Sequence, residues 1–113
     1  MHELSLLENV REILEQQAIQ QNFTTVTKVT LEIGTLSSVE PDAIRFGFDI
    51  VMQNSLAEHA ELIIEPVPGL GLCLDCHQEV KLTALYDPCP LCNHFAVKLT
   101  QGTEMKIKEL SVR

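Results

Sequence analysis

From Ser5 to about Gln21 the apolar residues recur at helical spacing. Leu6, Val10 and Ile13 form one stripe with Leu7, Leu14 and Ala18 beside it, while Glu8, Arg11, Glu12 and Glu15 face water. Ser5 and Glu8 make an S-x-x-E capping box, so the pattern predicts a helix opening at Ser5 and leaves His2 and Glu3 ahead of its first turn. The segment TTVTKVTLEIG then alternates: Val29, Leu31 and Ile33 point one way, Lys28, Thr30 and Glu32 the other. It predicts a half-buried strand ending near Gly34. In LSSVEPDAIRFGFDIVMQ, serines, Glu40 and a proline suited to a first helical turn precede a shared face of Ala43, Ile44, Gly47, Phe48 and Val51, which predicts a second helix. Residues 61–65 read as a short strand stopped by Pro66.

The sharpest break is PVPGLG, with prolines at 66 and 68 and glycines at 69 and 71. Beyond it, LCLDCHQEVKLTALYDPCPLCNHFAVKL carries short apolar runs around two cysteine pairs, with no helical period. Strand character returns in TEMKIKELSV, where the alternation slips between Ile107 and Leu110, as at a bulge. The pattern predicts an α+β body over residues 1–66, completed by a returning strand at 103–113. A cysteine-held subdomain occupies 67–102, with its insert proper at 73–100.

Composition narrows the function classes. With 113 residues, 45% of them hydrophobic, the chain makes one domain or one domain with a small subdomain. Aromatics at 4% argue against a stacking platform for single strands, and a net charge of -8 repels phosphate backbones. No apolar run approaches the roughly 20 residues that span a bilayer, and the start lacks a secretion signal. The expectation is a soluble cytoplasmic protein without nucleic-acid or membrane partners. No nucleophile–base pair, open metal site or GxxxxGK[ST] phosphate loop points to an enzyme.

In a reducing compartment, four cysteines favour a metal site over disulfides. Cys73-Leu74-Asp75-Cys76 and Cys89-Pro90-Leu91-Cys92 are two C-x-x-C knuckles, each presenting two thiolates from one tight turn. Together they build a tetrahedral S4 cage that fits Zn(II). A rubredoxin-like iron site has the same ligand set; a redox pair or disulfides fit the context less well. A four-cysteine cage has no open position, so its role is to fold a small insert rather than to hydrolyse. Zn(II) with four thiolates takes the formal charge from -8 to -10 (-8 - 4 + 2).

The start, MHELSL, poses a separate question. A histidine near a terminus is usually a solvated side chain. Here, however, the Met1 α-amine, the His2 amide nitrogen and the His2 imidazole chelate one ion in fused rings, and the Glu3 backbone nitrogen or carboxylate completes a four-donor plane. Such nitrogen donors suit Ni(II) and Cu(II).

MHELSL, LEIGTLSSVEPDAIRFGFDIV and the paired knuckles together resemble the HypA/HybF family of nickel-insertion accessory proteins for [NiFe]-hydrogenase, over essentially the whole chain. The resemblance implies two helices on a three-stranded sheet with an attached zinc ribbon. It implies a nickel metallochaperone with His2 as the side-chain nickel ligand, assisted by Met1 and the His2 and Glu3 backbone, and with Glu40 as a further candidate. It implies Cys73, Cys76, Cys89 and Cys92 as zinc ligands. It also implies two partners, a HypB-type GTPase and the [NiFe]-hydrogenase large-subunit precursor; a homodimer is compatible with the reading. The competing reading is a zinc-ribbon adaptor that only binds proteins, with His2 a bystander.

His77 and His94 flank the knuckles and read as locally hydrogen-bonded ribbon residues, against an alternative in which one of them couples the two metal sites. His59 reads as a solvated turn residue. The Glu8, Glu12 and Glu15 stripe reads as a solvated face, against an alternative of docking a basic partner.

Overall fold

The computed structural model describes residues 2–113, the His2 side chain excepted. The elements run α1 (His2–Gln21), β1 (Val26–Gly34), α2 (Pro41–Val51), β2 (Glu61–Val67), β3 (Gly69–Cys73), β4 (Glu79–Leu82), β5 (Val97–Gln101) and β6 (Met105–Val112). The fold is α+β, with both helices and the returning last strand in place. Strands β2-β1-β6 form one three-stranded sheet and β4-β3-β5 a second, so the cysteine segment carries a sheet of its own.

Most elements follow from the local patterns. In α1, Leu7, Val10 and Leu14 are buried at helical spacing. The helix stops at Asn22, whose left-handed φ of 58° lets the Phe23 amide donate to the Ala18 carbonyl at 3.2 Å. Pro41 opens α2, and its Ile44, Gly47 and Phe48 are buried. Central strand β1 buries Val29, Leu31 and Ile33, and also Thr30, which its alternation assigned to the polar face.

Two expectations need correcting. Helix α1 begins at His2, not Ser5, so the Ser5–Glu8 box lies inside the helix and does not start it. Packing explains the extra turn. The two helices meet where Gly47 lies against Leu7 and Leu4, and a Cβ on Gly47 would come within 2.9 Å of Leu7 Cδ1 and 3.3 Å of Leu4 Cδ2. Drawing Leu4 into that contact extends the helix past its local cap, and Glu3 in the first turn suits the positive end of the helix dipole. Similarly, β2 runs through Pro66 to Val67. It is an edge strand, where a residue without an N–H need not break the ladder.

The chain forms two compact units. One takes the residues up to Leu31, Val39–Ile64 and Ile107–Arg113; the other takes Glu32–Ser38 and Glu65–Lys106. In the first, the Arg11 guanidinium donates to the Val51 and Gln53 carbonyls at 2.8 and 3.3 Å, satisfying the end of α2. Gly47 beside Leu4 and Leu7, and Val51 beside Arg11, mean that α1 and α2 run in the same general direction. In the second unit, Leu36, Val80 and Leu82 form a small core with Cys73 and Cys89. Among the described residues, no helix is long and apolar enough to cross a membrane.

Candidate metal centre

Strand β3 delivers Cys73, and the turn after it delivers Cys76. The loop between β4 and β5 supplies Cys89 and Cys92. Both knuckles close in the same way. The His77 amide donates to the Cys73 carbonyl at 2.8 Å, and the Asn93 amide to the Cys89 carbonyl at 2.8 Å. In return, the Cys73 and Cys89 amides donate to the Gln78 and His94 carbonyls at 3.0 and 2.8 Å. That closure needs a left-handed residue after each pair, and His77 (φ 61°) and Asn93 (φ 66°) supply it. The repeat was present in the sequence as a polar residue directly after each second cysteine, but it is not part of the C-x-x-C pattern.

The four sulfurs lie within 4.8 Å of one another. Cys73 and Cys92 Sγ are 3.5 Å apart, and Cys76 and Cys89 Sγ 3.7 Å. A tetrahedron with Zn–S bonds of about 2.3 Å has edges of about 3.8 Å, whereas a disulfide needs about 2.05 Å. The sulfurs therefore fit a metal cage, and all four cysteines are free thiols. Cys73 and Cys89 are buried, Cys76 and Cys92 half-buried, so the cage is closed to substrate. The Cys76 amide points at Cys73 Sγ and the Leu91 amide at Cys89 Sγ, both at 3.4 Å, and such donors favour thiolate.

The metal-free thiols divide in their acidity. The Cys76 amide, outweighing burial, lowers Cys73 to about 6. At Cys92 the His94 amide acts downward, but burial and the neighbouring sulfurs prevail and push it up to about 12. Cys76 is also raised: the Gln78 amide acts downward, and burial with the Cys73 and Cys89 sulfurs outweighs it.

The histidines beside the cage are exposed. His77 serves as the left-handed closing residue. His94 Nδ1 lies 3.1 Å from Asp75 Oδ2, a bridge from one knuckle to the other that involves a residue not singled out in the sequence. Both histidines thus have local roles. His59 is a surface residue, 3.8 Å from Glu58.

Of the amino-terminal residues, Met1 and the His2 side chain lie outside the described residues. The His2 backbone starts α1, with Glu3 in its first turn. Glu40 is exposed, extended (φ -88°, ψ 116°), and its side chain does not cap α2. Because α1 and α2 run in the same direction from the Gly47 contact, their starts, with His2 and Glu40, belong to the same end of this unit.

A family model described as hydrogenase/urease nickel incorporation, metallochaperone, HypA, matches residues 1–112. The chain belongs to the HypA family. The hydrogenase maturation factor HypA of Psychromonas ingrahamii is 48% identical over 112 residues, covering 99% of this chain and 98% of that protein. HypA of Azoarcus sp. is 46% identical with the same coverage. The solution structure of the Ni metallochaperone HypA from Helicobacter pylori superposes with a TM-score of 0.74 at 27% identity, covering 97% of this chain and 96% of that one. HypA proteins are maturation factors of the nickel-metallochaperone class, and this member carries the four-cysteine metal centre just described.

Proposed function

We propose that this HypA protein binds Ni(II) at its amino terminus and helps deliver it to the [NiFe]-hydrogenase large-subunit precursor, in concert with a HypB-type GTPase in the cytoplasm. The Met1 amine, the His2 amide and imidazole, and the Glu3 nitrogen or carboxylate hold the ion, and Glu40 is a further participant. Zn(II) occupies the Cys73, Cys76, Cys89 and Cys92 cage and holds the subdomain of residues 67–102 together; residues 1–66 and 103–113 make up the nickel-binding body.

The observation that carries this reading is the closed S4 geometry within a nickel-metallochaperone family. A closed cage does not release cargo, so nickel needs a second, accessible set of donors. The amino-terminal nitrogens are that set, and the common end of α1 and α2 supports adding Glu40 to it.

The test is a Ni(II) titration of tag-free protein beside His2→Ala and a version with one residue added before Met1. Absorbance would report planar against octahedral coordination. Both variants should lose the Ni(II) spectrum of the native protein and keep their zinc. If the extended version binds one Ni(II) with an unchanged spectrum, the amino-terminal chelate is wrong and the adaptor reading gains.

A further inference from the structure

On the flank where α1 meets α2 runs a groove of about 510 Å³. Leu4, Ile50 and Val51 form its apolar floor, and Glu8, Glu12 and Glu15 line it along α1. At 100° per residue, Leu4, Glu8, Glu12, Glu15 and Ile19 share one side of α1, and Phe46 and Ile50 lie one turn apart on α2. Of the groove's lining residues Ile50 is 50% exposed, and beyond the groove on the same helices Phe46 and Ile19 are 77% and 80% exposed. Scattered apolar residues need no explanation, but Leu4, Ile50 and Val51 together line one groove, the arrangement of an interaction site.

The charge of the groove says what kind of partner fits. Among the described residues its one lining cation is Arg11, which spends its guanidinium on the Val51 and Gln53 carbonyls and lies 3.7 Å from Glu15. Among the described residues, neither Glu8 nor Glu12 has an ionic partner. Among the described residues, three carboxylates against one committed guanidinium leave the rim net negative, so a second copy of this chain, at net charge -8, would be repelled. The same sign disfavours an anionic membrane surface.

We propose that this groove is a docking site for a basic amphipathic helix of a partner protein. Apolar side chains at i, i+3/i+4 and i+7 would enter between Leu4, Ile50 and Val51, with lysines or arginines reaching Glu8 and Glu12. From Leu4 to Glu15 the groove runs along 11 residue steps of α1, about 16 Å, which accommodates about three helical turns. That its partner belongs to nickel delivery rests on the proposed function above.

The experiment is an NMR titration of ¹⁵N-labelled, zinc-loaded, nickel-free protein with a three-turn leucine–lysine amphipathic peptide and its leucine–glutamate counterpart. The leucine–lysine peptide should shift amides over residues 4–15 and 46–53 and weaken as salt rises from about 0.05 to 0.5 M. Glu8→Lys with Glu12→Lys should weaken it about tenfold, from two exposed charge pairs each reversed, and Ile50→Ser should weaken it without altering the salt dependence. The proposal is overturned if the shifts fall elsewhere or are absent, if both peptides bind alike, or if sedimentation shows a dimer that the Phe46→Ser substitution dissolves. The native-protein map decides even if a variant misfolds. Failure here with intact nickel binding at His2 would leave the proposed function standing.

Discussion

Gly34→Ala gives the most direct test of how the cysteine unit is built. Gly34 ends β1, and a Cβ there would fall on the Gly102 carbonyl group, which is backbone and cannot swing aside. Gly102 cannot retreat readily either. It sits at a left-handed φ of 94°, and its own Cβ position lies 2.7 Å from the Gly69 Cα and 2.8 Å from the Pro68 carbonyl oxygen. Making room therefore separates the 34–36 segment from 102–104. Two hydrogen bonds are lost: the Gly34 amide to the Glu104 carbonyl at 2.9 Å, and the Leu36 amide to the Gly102 carbonyl at 2.8 Å. Each contributes about 1 kcal/mol net. Leu36, 3% exposed in the cluster with Cys73, Cys89, Val80 and Leu82, is pulled partly out of its core, and that adds about 1–2 kcal/mol. The expected cost is about 3–4 kcal/mol, a midpoint drop of about 10–15 °C for a chain of this size. Thermal unfolding by circular dichroism at fixed zinc, with metal content measured in parallel, reads it. A Gly34→Ala protein melting within about 2 °C of the native one would refute the close approach of Gly34 and Gly102.

Two further outcomes concern the cage. At pH 7 the Cys73 thiol, lowered to about 6, is already thiolate, whereas Cys76, raised, and Cys92, at about 12, hold their protons. Zinc loading therefore expels at least these two protons, so affinity rises with pH, by at least about a hundredfold per unit near neutrality. Below about pH 6 Cys73 protonates as well, and the loss on acidification steepens. Calorimetry in buffers of different ionisation enthalpy counts the protons, and fewer than two at pH 7 contradicts the assignment. Asp75→Ala removes the His94 bridge. With side chains 66% and 49% exposed, that bridge contributes under about 1 kcal/mol, so zinc stoichiometry should be unchanged and the melting point should move by only a few degrees.

The sequence alone determined the parts whose causes are local. Helical spacing specifies α1 and α2, alternation specifies β1 and β6, and the two C-x-x-C turns specify a sulfur cage, because two thiolates presented from each tight turn leave few other geometries. The contrast between a closed thiolate cage and the proposed amino-terminal nitrogen chelate is also drawn from residue chemistry. The start of α1 was not, since a capping box records only local hydrogen bonding and the packing of Leu4 and Leu7 on Gly47 overrides it. Nor was the edge position that lets β2 pass through Pro66. The repeated left-handed closure at His77 and Asn93, the Asp75–His94 bridge and the joining of Leu36 to the cysteine core likewise exist only in the folded chain. Each depends on residues distant in sequence or on a backbone angle that no hydrophobic pattern encodes. Only the fold, by running α1 and α2 in the same direction, gives the amino-terminal residues and Glu40 a common end.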